Sequence, residues 1–188
     1  ARLMIGGKIQ NYRNILKRYI RDYGENENIN RAVQVLEHAK REALATQDKT
    51  TLIGYEGMAS NAYFEVLPVL ILNQKADFPF HGRNRRPPKD AVNAMLSFAY
   101  TLIANDTSAA LETVGLDPYV GFLHTLRPGR TSLALDMMEE LRAYLGDRFV
   151  LSLINKRQIT SKDFLFQGDN GVVMTDKGKK TFISAWQA

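Results

Sequence analysis

The chain has 188 residues, of which 45% are hydrophobic, and it contains no cysteine. Its length fits one domain with a real core, and the missing thiols exclude disulfides and thiolate metal sites. The net charge of +5 favours a polyanionic partner, but only weakly. No apolar run approaches the ~20 residues that a membrane span requires. The chain starts at Ala1 and enters helical periodicity at once, which indicates a piece cut from a longer protein.

Helical periodicity dominates the N-terminal half of the chain. Asp48 or Thr50 is placed to cap the third predicted helix. After that helix, a run rich in Pro, Gly and Arg predicts an exposed loop. The predicted elements are helices over 8–23, 29–46, 48–72, 91–104 and 107–114, with the loop over 75–89.

The stretch 121–140 contains one histidine, two arginines and three carboxylates. Pro128 and Gly129 predict a turn in its middle, after which Thr131 or Ser132 is placed to cap a helix. Apolar residues then recur at helical spacing and predict a stripe that faces the core. The stripe consists of Leu133, Ala134, Met137, Met138, Leu141, Tyr144 and Leu145.

The period changes near the C-terminus, after one more short helix predicted over 148–155. Two apolar triplets, 164–166 and 172–174, flank the sequence Gly-Asp-Asn-Gly and predict a β-hairpin. Thr175 and the residues to Trp186 predict a closing helix, in which Trp186 packs against the core. The chain is therefore predicted to be mainly α, a single helical domain over 1–188 with one small β-hairpin near its C-terminus.

Three acidic residues, Asp136, Glu139 and Glu140, follow the turn at i, i+3 and i+4. Asp136 and Glu139 fall outside the apolar stripe on a shared face, and Glu140 lies at its edge. One interpretation is a solvated acidic face near a helix N-terminus. The other is a hard-cation site that His124 completes, since imidazole and carboxylates suit several divalent metals. The spacing leaves both open.

A further carboxylate, Glu56, lies beside Gly57 and two residues after Gly54 in the third helix. Two glycines inside a helix cost about 1 kcal/mol each relative to alanine. Close packing of a neighbouring helix would explain them, with Glu56 pointing to water. A ligand that approaches the backbone would also explain them, with Glu56 binding the same metal. His38 and His81 are weaker candidates, on a helix surface and in the basic loop.

Basic residues cluster in two places. Arg127 and Arg130 flank the central turn, while Arg83, Arg85 and Arg86 lie in the loop. An acidic site that cuts or joins nucleic acid needs such groups to bring in phosphates, which favours phosphodiester chemistry. Two alternatives remain, a non-catalytic helical module that binds nucleic acid and, less favoured, a structural-metal protein.

Several segments carry a family pattern over nearly the whole chain. They are GKIQNYRNILKR, GYEG with Ala59 and Tyr63, DPYVGFLHTLRPGRTSLALDMMEELR and FQGDNGVVMTDKGKKTFISAW. In order and spacing they resemble the CRISPR-associated endonuclease of the spacer-adaptation module, its integrase subunit. The resemblance implies a helical catalytic domain that cleaves and joins phosphodiester bonds, without the N-terminal β-rich domain of the family.

The resemblance also implies a site and partners. The metal would be Mn²⁺ or Mg²⁺, held by Glu56, His124 and Glu139, with Asp136 as an auxiliary catalytic acid. Many members have Asp where this chain has Glu139, so the roles of the three acids remain open. The implied partners are DNA (duplex, branched or spacer precursor), a second copy in the full-length protein, and a small second adaptation subunit. The expected location is the cytoplasm of a prokaryotic cell, with no membrane attachment.

Overall fold

The computed structural model describes residues 1–125 and 127–188. Within them the chain forms seven α-helices and one antiparallel pair of strands, so the mainly α prediction is confirmed. No helix in these ranges is both long and apolar enough to cross a membrane. The helices are α1 (Arg2–Tyr23), α2 (Glu27–Ala45), α3 (Lys49–Val66), α4 (Ala91–Thr113), α5 (Ser132–Met138), α6 (Arg148–Asn155) and α7 (Asp176–Trp186). The strands are β1 (Phe164–Phe166) and β2 (Val172–Met174).

The first three helices pack together, with α2 in contact with both α1 and α3. α1 begins at Arg2, earlier than the predicted start at Lys8. Gly6 lets α1 pack closely against α2, because a Cβ at this position would lie 2.8 Å from a methyl carbon of Leu44. At the start of α3, Asp48 accepts the Thr51 backbone N–H at 2.7 Å. Of the two predicted caps, Asp48 is therefore the one used.

Two further predictions about helix boundaries are wrong. α3 ends at Val66 instead of near Leu72, and a short 3₁₀ turn, Leu67–Leu70, follows it. Pro68 lies in that turn and has no N–H to continue the α-helical ladder. α4 is continuous from Ala91 to Thr113, where two helices were predicted. The polar residues between them are exposed on the helix surface, so they do not interrupt it.

The C-terminal predictions are confirmed. α6 has the predicted bounds, and Phe164 and Phe166 of β1 pair with Met174 and Val172 of β2. α7 follows β2 directly, and the ring of Trp186 lies edge-on to Phe149, with 5.1 Å between centroids. Trp186 is therefore a packing residue, as predicted.

The predicted apolar stripe after the central turn is largely wrong. α5 ends at Met138, a turn follows, and residues Arg142–Asp147 form a π-helical segment. The wider π turn shifts the angular position of the residues after it. Four stripe residues are exposed, whereas Asp136 and Glu139, which precede the π-helical segment, point inward at 0% and 4% exposure. The exposed stripe residues are Met137, Leu141, Tyr144 and Leu145.

Candidate active site

Asp136 organises the segment that carries His124. Its carboxylate accepts the backbone N–H groups of Phe122, Leu123 and His124 at 2.6, 2.8 and 2.9 Å. It also contacts Nδ1 of the His124 ring at 2.5 Å. Burial favours the neutral acid, but these donors outweigh it and lower the pKa of Asp136. Asp136 therefore stays ionised although it is fully buried.

An ionised Asp136 fixes the tautomer of His124. A carboxylate can only accept, so Nδ1 of His124 must carry the proton. In the neutral imidazole Nε2 then carries the lone pair, and this nitrogen lies 3.9 Å from Oε1 of Glu139. This carboxylate–imidazole pair has the arrangement that orients a metal-binding histidine in other proteins. Asp136 thus acts through His124, and its own oxygens are occupied by donors.

Glu139 lies at the centre of the site and is 4% exposed. Its Oε2 accepts a hydrogen bond from Nζ of Lys8 at 2.8 Å, and its Oε1 forms an ion pair with Nη1 of Arg142 at 2.8 Å. A buried carboxylate needs such partners, since an unpaired charge in the interior is costly. The solvated acidic face considered from the sequence is wrong for Asp136 and Glu139, and it holds only for the exposed Glu140.

Glu56 extends from α3 into the same site as Glu139. Its Oε1 accepts Nζ of Lys8 in a short contact and the Ser60 hydroxyl at 2.9 Å. Burial favours the neutral acid, but Lys8 and Ser60 outweigh it and lower the pKa of Glu56. Among the described residues, nothing lies within 4 Å of a Cβ built on Gly54 or Gly57. Close helix packing is therefore not the reason for these glycines, and the backbone beside Glu56 is open to a ligand.

Lys8 joins the two glutamates. It lies on the buried stripe of α1 with Ile5, Ile9 and Tyr12, and it is 2% exposed. Burial opposes its charged form, but contacts with Tyr12, Glu139 and Glu56 raise its pKa above the ordinary value. The ammonium is therefore a permanent positive charge between the two carboxylates.

The structure thus brings together the predicted set Glu56, His124, Asp136 and Glu139, which we call the acid–histidine cluster. Within residues 1–125 and 127–188, no three His, Asp or Glu side chains are close enough to hold one metal ion. The donor types nevertheless fit Mn²⁺ or Mg²⁺, since two carboxylates and a neutral imidazole nitrogen suit hard or borderline cations. The ammonium of Lys8 also places positive charge between Glu56 and Glu139. The metal ligands remain a prediction.

A basic cavity of about 250 Å³ adjoins the cluster. Its lining includes Lys8, Glu56, Ser60, Arg83, Arg85 and Arg142. The guanidinium carbons of Arg83 and Arg142 lie 5.3 and 5.2 Å from the centroid of the Tyr100 ring. Arg86 lines a neighbouring cavity of about 290 Å³ that also contains Arg83 and Arg85. The loop arginines predicted from the sequence therefore lie beside the acids.

The other predicted residues lie at the edge of the site or away from it. Arg127 is exposed and Arg130 is half-buried, and neither forms an ion pair with a residue in the described part of the chain. Pro128 and Gly129 form the predicted turn between them, where Gly129 has a φ of +73°. His81 is exposed in the loop, and His38 lies on the surface of α2, 3.2 Å from Arg41.

Four further residues of the site were missed from the sequence. Lys8 and Arg142 pair with the glutamates, while Tyr100 supports two arginines and donates its hydroxyl to the buried Asp147 at 2.6 Å. One signal was present, because Lys8 interrupts an apolar stripe at helical spacing from Ile5 and Tyr12. Arg142, Tyr100 and Asp147 gave no comparable signal.

The fold and the site together define the class of protein: a mainly helical domain that carries an acid–histidine cluster beside a basic cavity. The chain belongs to the family of CRISPR associated protein Cas1, whose family model matches residues 1–188. The resemblance found in the sequence is therefore confirmed.

Known proteins similar to the chain extend well beyond it. It is 49% identical to CRISPR-associated endonuclease Cas1 1 of Chlorobaculum tepidum, over all of this chain and 55% of that relative. A CAS1 protein from Thermotoga maritima has a similar structure, with a TM-score of 0.82 and 27% identity over 99% of this chain and 56% of that one. A chain of a partial Cas6-RT-Cas1–Cas2 complex shares the fold, with a TM-score of 0.85. The two are 24% identical, and the match covers 99% of this chain and 56% of that one. The chain spans little more than half the length of these proteins.

Proposed function

We propose that the chain is the catalytic domain of a divalent-metal-dependent DNA endonuclease and integrase, which cleaves and joins phosphodiester bonds during CRISPR spacer acquisition. The observation that carries this proposal is the meeting of Glu56, His124 and Glu139, from three distant segments, beside a cavity lined with arginine. Family membership and the names of similar proteins support the same activity.

Each residue has a role that follows from its contacts. Glu56 and Glu139 offer anionic oxygens, and His124 offers a neutral nitrogen at Nε2, so these three would hold Mn²⁺ or Mg²⁺. When bound, such an ion supplies Lewis-acid polarisation of a phosphoryl oxygen and activation of a hydroxyl. Asp136 holds the His124 ring in its metal-binding tautomer.

The arginines bind the polyanion. Arg83 and Arg85 line the basic cavity next to Glu56, where they offset the charge of a phosphate close to the site. Arg86, Arg127 and Arg130 lie further out and contact the neighbouring phosphates of the same DNA. These five residues accordingly set affinity for DNA and its dependence on salt.

The proposal extends to partners. The substrate is duplex or branched DNA, and the full-length protein works as a dimer in the cytoplasm of a prokaryotic cell. A small second adaptation subunit joins it. The last partner is supported by the fold shared with a complex that contains Cas2.

The decisive experiment is cleavage of branched DNA with Mn²⁺ by wild type, His124→Ala and Glu56→Ala. We expect both substitutions to abolish cleavage, because each removes one proposed ligand. Circular dichroism and the melting temperature check that each variant is folded. His38→Ala is the matched control, since His38 lies outside the site. Full activity of folded His124→Ala would refute the assignment.

A thermal shift separates this enzyme from the alternative, a non-catalytic module that binds nucleic acid. A ligand that binds only the folded state raises the melting temperature, because it stabilises that state by RT ln(1 + [L]/Kd). Mn²⁺ should therefore raise the melting temperature of wild type and not that of Glu56→Ala. A binding module would bind DNA, show no cleavage and give no shift with Mn²⁺ in either protein.

A further inference from the structure

The position of Lys8 carries an inference beyond the proposed metal ligands. Its ammonium donates to Oε1 of Glu56 and, at 2.8 Å, to Oε2 of Glu139. These are two of the groups that the proposed function assigns to the metal. The lysine side chain is only 3% exposed, so bulk solvent screens these contacts little.

The charges of Glu56 and Glu139 are balanced without any added ion. Two cations, Lys8 and Arg142, face two carboxylates, Glu56 and Glu139. Arg142 has its own partner in Oε1 of Glu139, whereas Lys8 bridges both glutamates. A divalent cation added to this arrangement would meet two positive charges in a largely buried site, where repulsion is strong.

The ammonium and a metal also need the same oxygen atoms. A hard cation contacts its oxygen ligands at about 2.0–2.6 Å, and Lys8 Nζ already lies 2.8 Å from Oε2 of Glu139. An ion that bridged the two glutamates would overlap the ammonium, so the two cations exclude each other there.

We propose that Lys8 is an internal counter-ion that holds Glu56 and Glu139 together before metal binding and competes with the divalent cation for them. The inference rests on the proposed function, because it requires that a metal uses these carboxylates. Lys8 is thus a positioning residue, and it sets how tightly the site binds metal.

The structure provides a place for the displaced side chain. Lys8 lines the basic cavity of about 250 Å³ together with Arg83 and Arg85. A lysine has four rotatable bonds, so its ammonium can leave the glutamates without a change in α1. In the cavity it would join three arginines, Arg83, Arg85 and Arg142, and add a fourth cation to the surface proposed to face DNA phosphate.

Calorimetric titration of the 188-residue chain with Mn²⁺ tests the competition directly, on wild type, Lys8→Met and Lys8→Gln. Both substitutions remove the competing charge, so we expect the Kd for Mn²⁺ to fall at least about tenfold. Without metal, both variants should melt below wild type, because the buried Glu139 and the half-buried Glu56 lose their shared partner. Mn²⁺ should then raise their melting temperatures more than it raises that of wild type.

Two controls sharpen the test. Lys17→Met removes an exposed lysine from the same helix and should leave the Kd for Mn²⁺ unchanged. Lys8→Arg keeps the charge and should stay close to wild type in affinity. The glutamine variant keeps a polar group at the position and replaces the methionine variant if the latter does not fold.

The outcomes separate this inference from the proposed function. If wild type binds Mn²⁺ and the neutral variants bind it equally or more weakly, the competition is refuted while the metal site stands. If neither wild type nor variants bind Mn²⁺, the proposed function fails and the inference fails with it.

Discussion

Two aspartates, Asp136 and Asp147, are both fully buried, yet the protein surrounds them very differently. Asp136 receives three backbone N–H groups and the ring nitrogen of His124. Asp147 receives the Tyr100 hydroxyl at Oδ1, and its Oδ2 has no partner with hydrogen-bond geometry in the described chain. The pKa of Asp136 is lowered, whereas burial raises the pKa of Asp147 to about 6, against the opposing effects of the Tyr100 and Tyr63 hydroxyls.

The contrast teaches that burial alone does not decide whether a carboxyl is charged. The number and kind of donors decide it, because each donor offsets part of the lost hydration. At Asp136 the donors fix a charge next to the imidazole, where the proposed chemistry needs it. At Asp147 a poorly solvated acid lies behind Tyr100, which supports Arg83 and Arg142.

Replacing Asp136 with Asn should have the largest effect. The amide cannot accept from all four donors, and its own N–H₂ group faces backbone N–H. We expect the free energy of unfolding to fall by about 3–5 kcal/mol and the affinity for Mn²⁺ by about 10–100-fold. Urea unfolding and calorimetric titration measure the two losses.

The stability loss in Asp136→Asn has a defined pH dependence. A lowered pKa in the folded state contributes stability above the unfolded pKa, and this stability is lost as the pH falls through the folded value. The difference in free energy of unfolding between wild type and Asp136→Asn should therefore become smaller as the pH falls. Asp169→Asn, in the exposed turn of the hairpin, is the matched control. A difference that stays constant down to low pH would show that Asp136 is not ionised.

Asp147→Asn should show the opposite pH dependence. The folded protein holds the Asp147 proton up to about pH 6, while the unfolded chain releases it near 3.8. Wild type therefore loses stability as the pH rises between these values, and the variant does not. The rise of the Asp147 pKa from 3.8 to about 6 corresponds to a loss of about 3 kcal/mol in the free energy of unfolding of wild type. Unfolding free energies of both proteins at pH 4 and pH 8 measure it, and an equal difference at the two pH values would contradict the raised pKa.

Tyr100→Phe should have the smallest effect. The phenylalanine keeps the ring between Arg83 and Arg142 and removes only the hydroxyl that Asp147 accepts. We expect a loss of about 1–2 kcal/mol at pH 8 and a smaller loss at pH 5, where Asp147 is largely protonated. DNA cleavage should stay within about twofold of wild type. Tyr144→Phe, on an exposed ring, is the control, and a large drop in cleavage would mean that the hydroxyl itself acts in the site.

Much of the fold could be predicted because its signals are local. The hairpin and α6 follow from apolar runs, glycine turns and spacing, which depend on neighbours in the sequence. The segment after the central turn could not be predicted in the same way. Its buried acids depend on partners that the periodicity does not show, Lys8 for Glu139 and the backbone N–H groups of residues 122–124 for Asp136. A search for a regular helical period also does not detect a π turn.

The site was predictable only in part. Glu56, His124, Asp136 and Glu139 were selected by residue type and by resemblance, and the structure brings them together. Their partners could not be selected, because a lysine or tyrosine acquires its role only when distant segments meet. Lys8 was the exception, because a charged residue within an apolar stripe can be recognised in the sequence.

Lys8 and Glu139 are 131 positions apart in the chain. Contacts of such long range form late in folding, after the loop between them has closed. On a ribosome, α1 emerges long before the segment that completes its ion pair, so a nascent chain that stops short of Glu139 lacks the assembled cluster. The proposed active site would therefore become competent only after that segment has emerged and packed against α1.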